Sequence, residues 1–142
     1  MDAELRQRLL FRRQYLYGAQ FEEFSDWTRV QLPNGSLLAV HPDLEVTQVQ
    51  ERTFHLVLLG YVLDPDVPKA DNHSILSERC KKASNSQALI GSLDRLGGRY
   101  VLFIFTPYEQ IVLNDAGGLR QVFYYRDSKG NLWLAPQPGL LS

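Results

Sequence analysis

Apolar positions along this chain follow two rhythms, period-two runs that read as strands and spacings of three and four that read as helices. The densest strand-like region is 99–135. Tyr100, Val101, Leu102, Phe103, Ile104 and Phe105 are apolar on both alternating faces, so each side of that strand should be covered. Residues 106–110 close a hairpin onto Ile111, Val112 and Leu113, and the Asn-Asp-Ala-Gly-Gly run at 114–118 tolerates the positive φ of a sharp bend. Residues 121–125 and 132–134 then pair around the polar loop 127–131, so the pattern predicts a four-stranded antiparallel meander.

Earlier in the chain, Leu5, Leu9 and Leu16 fit one side of a helix over about 2–17, with Gly18 as its stop. Arg6, Arg8, Arg12 and Arg13 fall mostly on its other sides and read as a solvated face. Phe21 and Phe24 read as anchors for the chain that follows. Asn34-Gly35 between the apolar runs 27–32 and 37–40 is a strong hairpin signal. Residues 44–49 alternate and predict a strand with one wet face, whereas 54–63 is apolar after His55 and predicts a central strand. Pro65 and Pro68 break it. Helices are predicted from Ser74 to about Ala83, capped by Asp71, Asn72 or Ser74, and from Ser86 to Leu96, stopped by Gly97. The order is helix, four strands, two helices, four strands, which suits an α+β fold of two packed, mainly antiparallel sheets with flanking helices, each batch of strands forming one sheet.

Composition narrows the options. With 142 residues, 44% of them hydrophobic, the chain suits a single soluble domain over 1–142. A formal net charge of -1 gives no field to attract nucleic acid or anionic lipid, so neither is expected as a partner. Cys80 is the lone cysteine, which forbids an internal disulfide, and no apolar run approaches membrane-spanning length. A reducing cytoplasm is the expected location.

The order Leu96-Gly97-Gly98-Arg99-Tyr100, an apolar strand, a second strand ending in Asn114-Asp115, a glycine turn, Arg120, Tyr124-Tyr125 and a last strand into Ala135 resembles the amidotransferase domain of asparagine synthetases. There the pattern runs roughly L-x-G-x-F-A, strand, R-D-x-x-G-x-K-P-L-Y-Y, strand, A-S-E. The resemblance covers 89–141 and, more weakly, 54–88. It implies a class II glutamine amidotransferase, an Ntn-hydrolase-like αββα sandwich in which the helix at 2–17 is an addition.

The chemistry of that family does not carry over. Its nucleophile is the chain's first residue, normally cysteine, heading a buried strand and using its own α-amine as base; here the sequence opens Met1-Asp2-Ala3 and leads into a predicted helix. The family's oxyanion motif N-G-E-I-Y-N corresponds to Leu59-Gly60-Tyr61-Val62-Leu63-Asp64, and a leucine side chain cannot donate a hydrogen bond to developing negative charge. Its glutamine-binding arginine and aspartate motifs have no placeable counterpart.

Other constellations read as structural. Cys80, flanked by Arg79, Lys81 and Lys82, falls mid-helix and reads as a half-buried packing residue. His41, His55 and His73 are scattered, so no metal site is expected. Asp64, Asp66 and Asp71 lack the spacing of a calcium loop, and the glycine pairs 97–98 and 117–118 lack that of phosphate loops. Trp27, Tyr124, Tyr125 and Trp133 lack interleaved basic residues and read as core. Asp115, Arg120, Tyr124 and Gly60 remain as ligand or interface candidates; the resemblance implies that the first two organise the turn before the Tyr-Tyr strand and the interface with a following synthetase domain. The expected function is a non-catalytic amidotransferase-like unit, needing no cofactor, that serves as scaffold, docking or ligand-binding domain for a synthetase-type domain in cis or in trans, or for a second copy. The sequence leaves two alternatives, an amidohydrolase with a relocated site and an unrelated protein-interaction module.

Overall fold

The computed structural model describes residues 14–22, 24, 26–115, 123–126 and 129–135. Within these lie the strands β1 (Tyr15–Gly18), β2 (Thr28–Gln31), β3 (Leu37–Val40), β4 (Val46–Glu51) and β5 (Phe54–Leu63), then helices α1 (Asn72–Lys82) and α2 (Ser86–Ser92). The strands β6 (Gly97–Phe105), β7 (Gln110–Asn114), β8 (Phe123–Arg126) and β9 (Leu132–Ala135) follow. The fold is α+β with two antiparallel sheets, ordered β2-β3-β1-β9-β8 and β4-β5-β6-β7. The chain divides into two compact units, one built from both chain ends and one from residues 45–120. Among the described residues, no helix is long and apolar enough to cross a membrane.

In the second unit, β5 lies between β4 and β6 and pairs with β6 from His55↔Phe105 to Leu63↔Gly97. Side chains alternate across a strand, so Leu56, Leu58 and Val62 share a face with Leu102 and Ile104. Ile75, Leu76, Cys80, Leu89 and Leu93 of the helical segment pack on that face. Val57, Leu59, Val101 and Phe103, on the opposite face, are buried as well, as a strand apolar in both phases requires. The edge strand β4 keeps Gln48 and Gln50 exposed and Val49 buried, which is the predicted single wet face.

Helix α1 is held at both ends. The Asp71 carboxylate accepts the Ser74 N–H at 2.8 Å, the N-cap arrangement expected of a short acidic side chain. At its other end Arg52, from the β4–β5 turn, donates to the Ala83 carbonyl at 2.7 Å and places a cation where the helix dipole is negative. Helix α2 stops at Ser92 instead of reaching Leu96. Leu93, Asp94 and Leu96 donate to carbonyls three residues back, and Gly97 opens β6 because Leu63 pairs with it.

In the first unit the Asn34-Gly35 hairpin forms as predicted, with Gly35 at φ +83° and β2 paired to β3 from Thr28↔Val40 to Gln31↔Leu37. The predicted helix over 2–17 fails where it can be followed: Tyr15, Leu16 and Tyr17 lie in strand β1, paired residue for residue with β3. Pairing across four buried positions outweighs a helical spacing that rested on a few leucines. Residues 2–13, including the four arginines, lie outside the described set. Gly18 is no helix stop. A side chain there would collide with the Trp133 ring, so glycine lets the indole lie against the backbone.

Two long-range expectations are corrected. The strands at 99–135 do not form one meander, because β6–β7 belongs to one sheet and β8–β9 to the other, where β9 meets β1 at Tyr17↔Leu134. Nor does each batch of strands form its own sheet: β4 and β5 pair with β6 and β7, while β1–β3 join β8 and β9. Partner choice depends on contacts remote in sequence, to which local periodicity is blind.

Gly98 sits at φ +119°, and a Cβ there would strike the Tyr61 carbonyl oxygen across the β5–β6 pair. Gly98→Ala is expected to destabilise the chain by about 2–4 kcal/mol, read as a lower urea midpoint with unchanged slope. An unchanged midpoint would show that the close approach is not needed.

Candidate functional site

The motif position Leu59-Gly60 falls in the middle of β5, where the strand bends. Gly60 adopts φ +99°, a conformation that favours glycine. Its N–H donates to the Glu45 carbonyl at 2.9 Å, and its carbonyl accepts from Asn72 Nδ2 at 3.4 Å. Asn72, in the first turn of α1, also takes the Val62 N–H on Oδ1 at 3.1 Å and donates to Glu45 Oε1 at 3.2 Å. The bend is therefore clamped by a single amide side chain. Leu59 beside it is wholly buried.

Tyr100 is the cross-strand partner of Gly60, and Asp115 closes the far side. Asp115 Oδ1 accepts the Tyr100 N–H at 3.1 Å, and its own N–H donates to the Tyr100 carbonyl at 3.1 Å. At 5% exposure Asp115 fastens the end of the β6–β7 hairpin. Burial pushes the Tyr100 phenol above its ordinary range, and the negative charge of Asp115 adds to the rise.

Just beyond β5, a groove of about 540 Å³ opens between the 64–70 loop and the two helices. Arg79 spans its wall, donating to Asp64 Oδ2 at 2.9 Å and to the Ser92 carbonyl at 2.7 Å. Asp64 is held below the usual carboxylate range, first by the Asp66 N–H and then by Arg79. Asp66, Glu78 and Lys82 ring the mouth, while Val67, Ala70, Ile75, Ala83 and Ala88 supply apolar lining. Its volume lies in the range that holds small ligands.

Cys80 is wholly buried, deeper than the half-burial predicted, and packs among Leu76, Leu89 and Ile104. Burial pushes its thiol up to about 11, with the Glu51 charge acting in the same sense. A neutral buried thiol is a poor nucleophile. His41 is buried in the first unit, and His55 lies between Gln48 and Gln50 on β4, its pKa lowered by burial; His73 is exposed on α1. Among the described residues, no three His, Cys, Asp or Glu side chains gather as a metal site.

Of the four predicted candidates, the structure brings together Gly60 and Asp115, on either side of Tyr100. Tyr124 lies on β8 opposite Leu134 in the first unit, and Arg120 lies outside the described residues. Asp64, Asp66 and Asp71 are split among an ion pair with Arg79, a contact with Arg95 at 3.4 Å and the cap of α1. Sequence reading missed Arg79 and the clamp role of Asn72. Arg79 entered only as a basic neighbour of Cys80, and Asn72 was one of three candidate caps; contacts remote in sequence distinguish them.

Asp115→Ala would leave the buried Tyr100 N–H without this acceptor, and a loss of about 1–3 kcal/mol in chemical denaturation is expected; unchanged stability would show that this contact does not hold the hairpin. Cys80 is expected to resist iodoacetamide in the folded chain and react after unfolding. Because the folded state holds the neutral thiol, its contribution to stability is full below the ordinary value of 9.0 and fades as pH rises toward about 11, a decline that Cys80→Ala should remove. No protein-family model matches the chain, and the search of curated proteins finds no match to it.

Proposed function

We propose that this chain is a non-catalytic amidotransferase-like domain, an Ntn-type sandwich relieved of glutamine hydrolysis and kept as a docking or ligand-binding unit. The observation that carries the proposal is the state of the oxyanion position. Leu59 stands where the family has its asparagine and offers no donor, and the Gly60 N–H beside it is taken by the Glu45 carbonyl at 2.9 Å. Loss of one such donor costs about a hundredfold or more in rate, and here both groups are out of use. Among the described residues the first strand, β1, opens at Tyr15, which offers no thiol.

The α+β class with two antiparallel sheets and a helical pair between β5 and β6 supports the architectural half of the proposal. An amidohydrolase with a relocated site is disfavoured by the chain's lone thiol lying in the core, and an unrelated interaction module accounts for none of the motif positions. The ligand-binding half draws on the groove around Arg79. A synthetase-type domain in cis or in trans, or a second copy, is the proposed partner, in a reducing cytoplasm where a single thiol stays free.

Incubated with glutamine, the chain is expected to release no ammonia above a protein-free control; release that disappears in Cys80→Ala would overturn the proposal. Co-elution with a synthetase-type domain carrying the S-G-G-x-D-S pyrophosphate loop tests the docking half.

A further inference from the structure

The groove beyond β5 is fixed in shape before any ligand arrives. Pro65 and Pro68 restrict its 64–70 lip, and the turns there are closed by the Val67 N–H donating to the Asp64 carbonyl at 3.1 Å and the Ala70 N–H to the Val67 carbonyl at 3.0 Å. Arg79 ties that lip to both helices at once, through the Asp64 carboxylate and the Ser92 carbonyl. A cavity of about 540 Å³ held open in this way needs little ordering on binding.

The charges around the cavity are not equivalent. Asp64 and Arg79, with side chains 10% and 23% exposed, neutralise each other, and both terminal nitrogens of the guanidinium are engaged. Asp66 and Glu78 stand at the mouth, where they meet Arg95 at 3.4 Å and Lys82 at 3.9 Å, cations that are themselves 73% and 80% exposed. Exposed pairs of this kind are weak, so a ligand's cation can take the place of either partner. An anion is worse served: three carboxylates, Asp64, Asp66 and Glu78, line the groove against Arg79 and Lys82, and Arg79 is already matched. Val67, half exposed, and the buried Ile75 and Ala83 offer apolar surface to the rest of a ligand.

We propose, resting on the ligand-binding role proposed above, that this groove binds a small organic cation, a protonated amine carried on an apolar stem. The stem lies along the apolar lining between the lip and α1, and the ammonium lies at the mouth against Asp66 or Glu78. Covering the stem supplies affinity, and the carboxylates choose the sign of charge.

The test is amide NMR on the ¹⁵N-labelled full chain titrated at pH 7 with hexylamine, 1-hexanol and hexanoate, which share a stem and differ in charge. Hexylamine is expected to shift amides of residues 64–92 saturably and more tightly than hexanol, with hexanoate weakest, and added salt should erode the preference. Asp66→Asn and Glu78→Gln, both at exposed side chains, are each expected to weaken hexylamine by about two- to fivefold and to leave hexanol unchanged. Lys82→Met, which keeps the stem and removes the charge, should tighten hexylamine. Ala88→Phe, an exposed position that lines the groove, should abolish the shifts. Hexanoate or hexanol binding as tightly as the amine overturns the cation preference while the ligand-binding role stands. Hexylamine affinity unchanged in the double Asp66→Asn, Glu78→Gln chain, or shifts that persist in Ala88→Phe, overturns the site. If none of the three probes shifts the groove amides, the site falls together with the ligand-binding role, and the docking role is left to the co-elution experiment.

Discussion

The pairing of β5 with β6 is the constraint from which the second unit follows. Both strands are apolar in both phases, so neither can sit at an edge or leave a face in water without heavy cost. β4 and β7 flank them, and the helical segment between them covers one face. Because the two strands run antiparallel and adjacent, that segment needs only to leave β5 at Leu63 and return at Gly97. Residues 64–96 do so as a loop, two helices and a tight turn.

The same pairing decides what the motif region can do. Near their open end the two strands approach so closely that glycine is needed at 98, and the bend at Gly60 turns its amide toward Glu45. Asn72 then locks the bend by binding backbone groups on both sides of Tyr61. A backbone N–H that serves the fold in this way is not available to a reaction intermediate. The local geometry is thus that of a structural joint.

Polar side chains of the second unit work largely on the backbone. Asp71, Asn72, Arg52, Arg79 and Asp115 each bind a main-chain group that strand or helix termination would otherwise leave unmet.

The amino-acid order alone determined the elements whose signals are local. The Asn34-Gly35 hairpin, the central strand at 54–63, a helix cap among Asp71, Asn72 and Ser74, and the two-faced strand at 100–105 follow from turn chemistry and from period-two burial, which act over a few residues. The tertiary structure decided which strands share a sheet, since β9 reaches β1 across nearly the whole chain, and it turned residues 15–17 from a helical spacing into a strand once β3 supplied a partner. It also decided which candidates meet: Gly60 and Asp115 are neighbours only because Tyr100 pairs with one and is hydrogen-bonded by the other. Backbone hydrogen bonds between distant segments carry no mark in local composition, and so their outcome belongs to the fold.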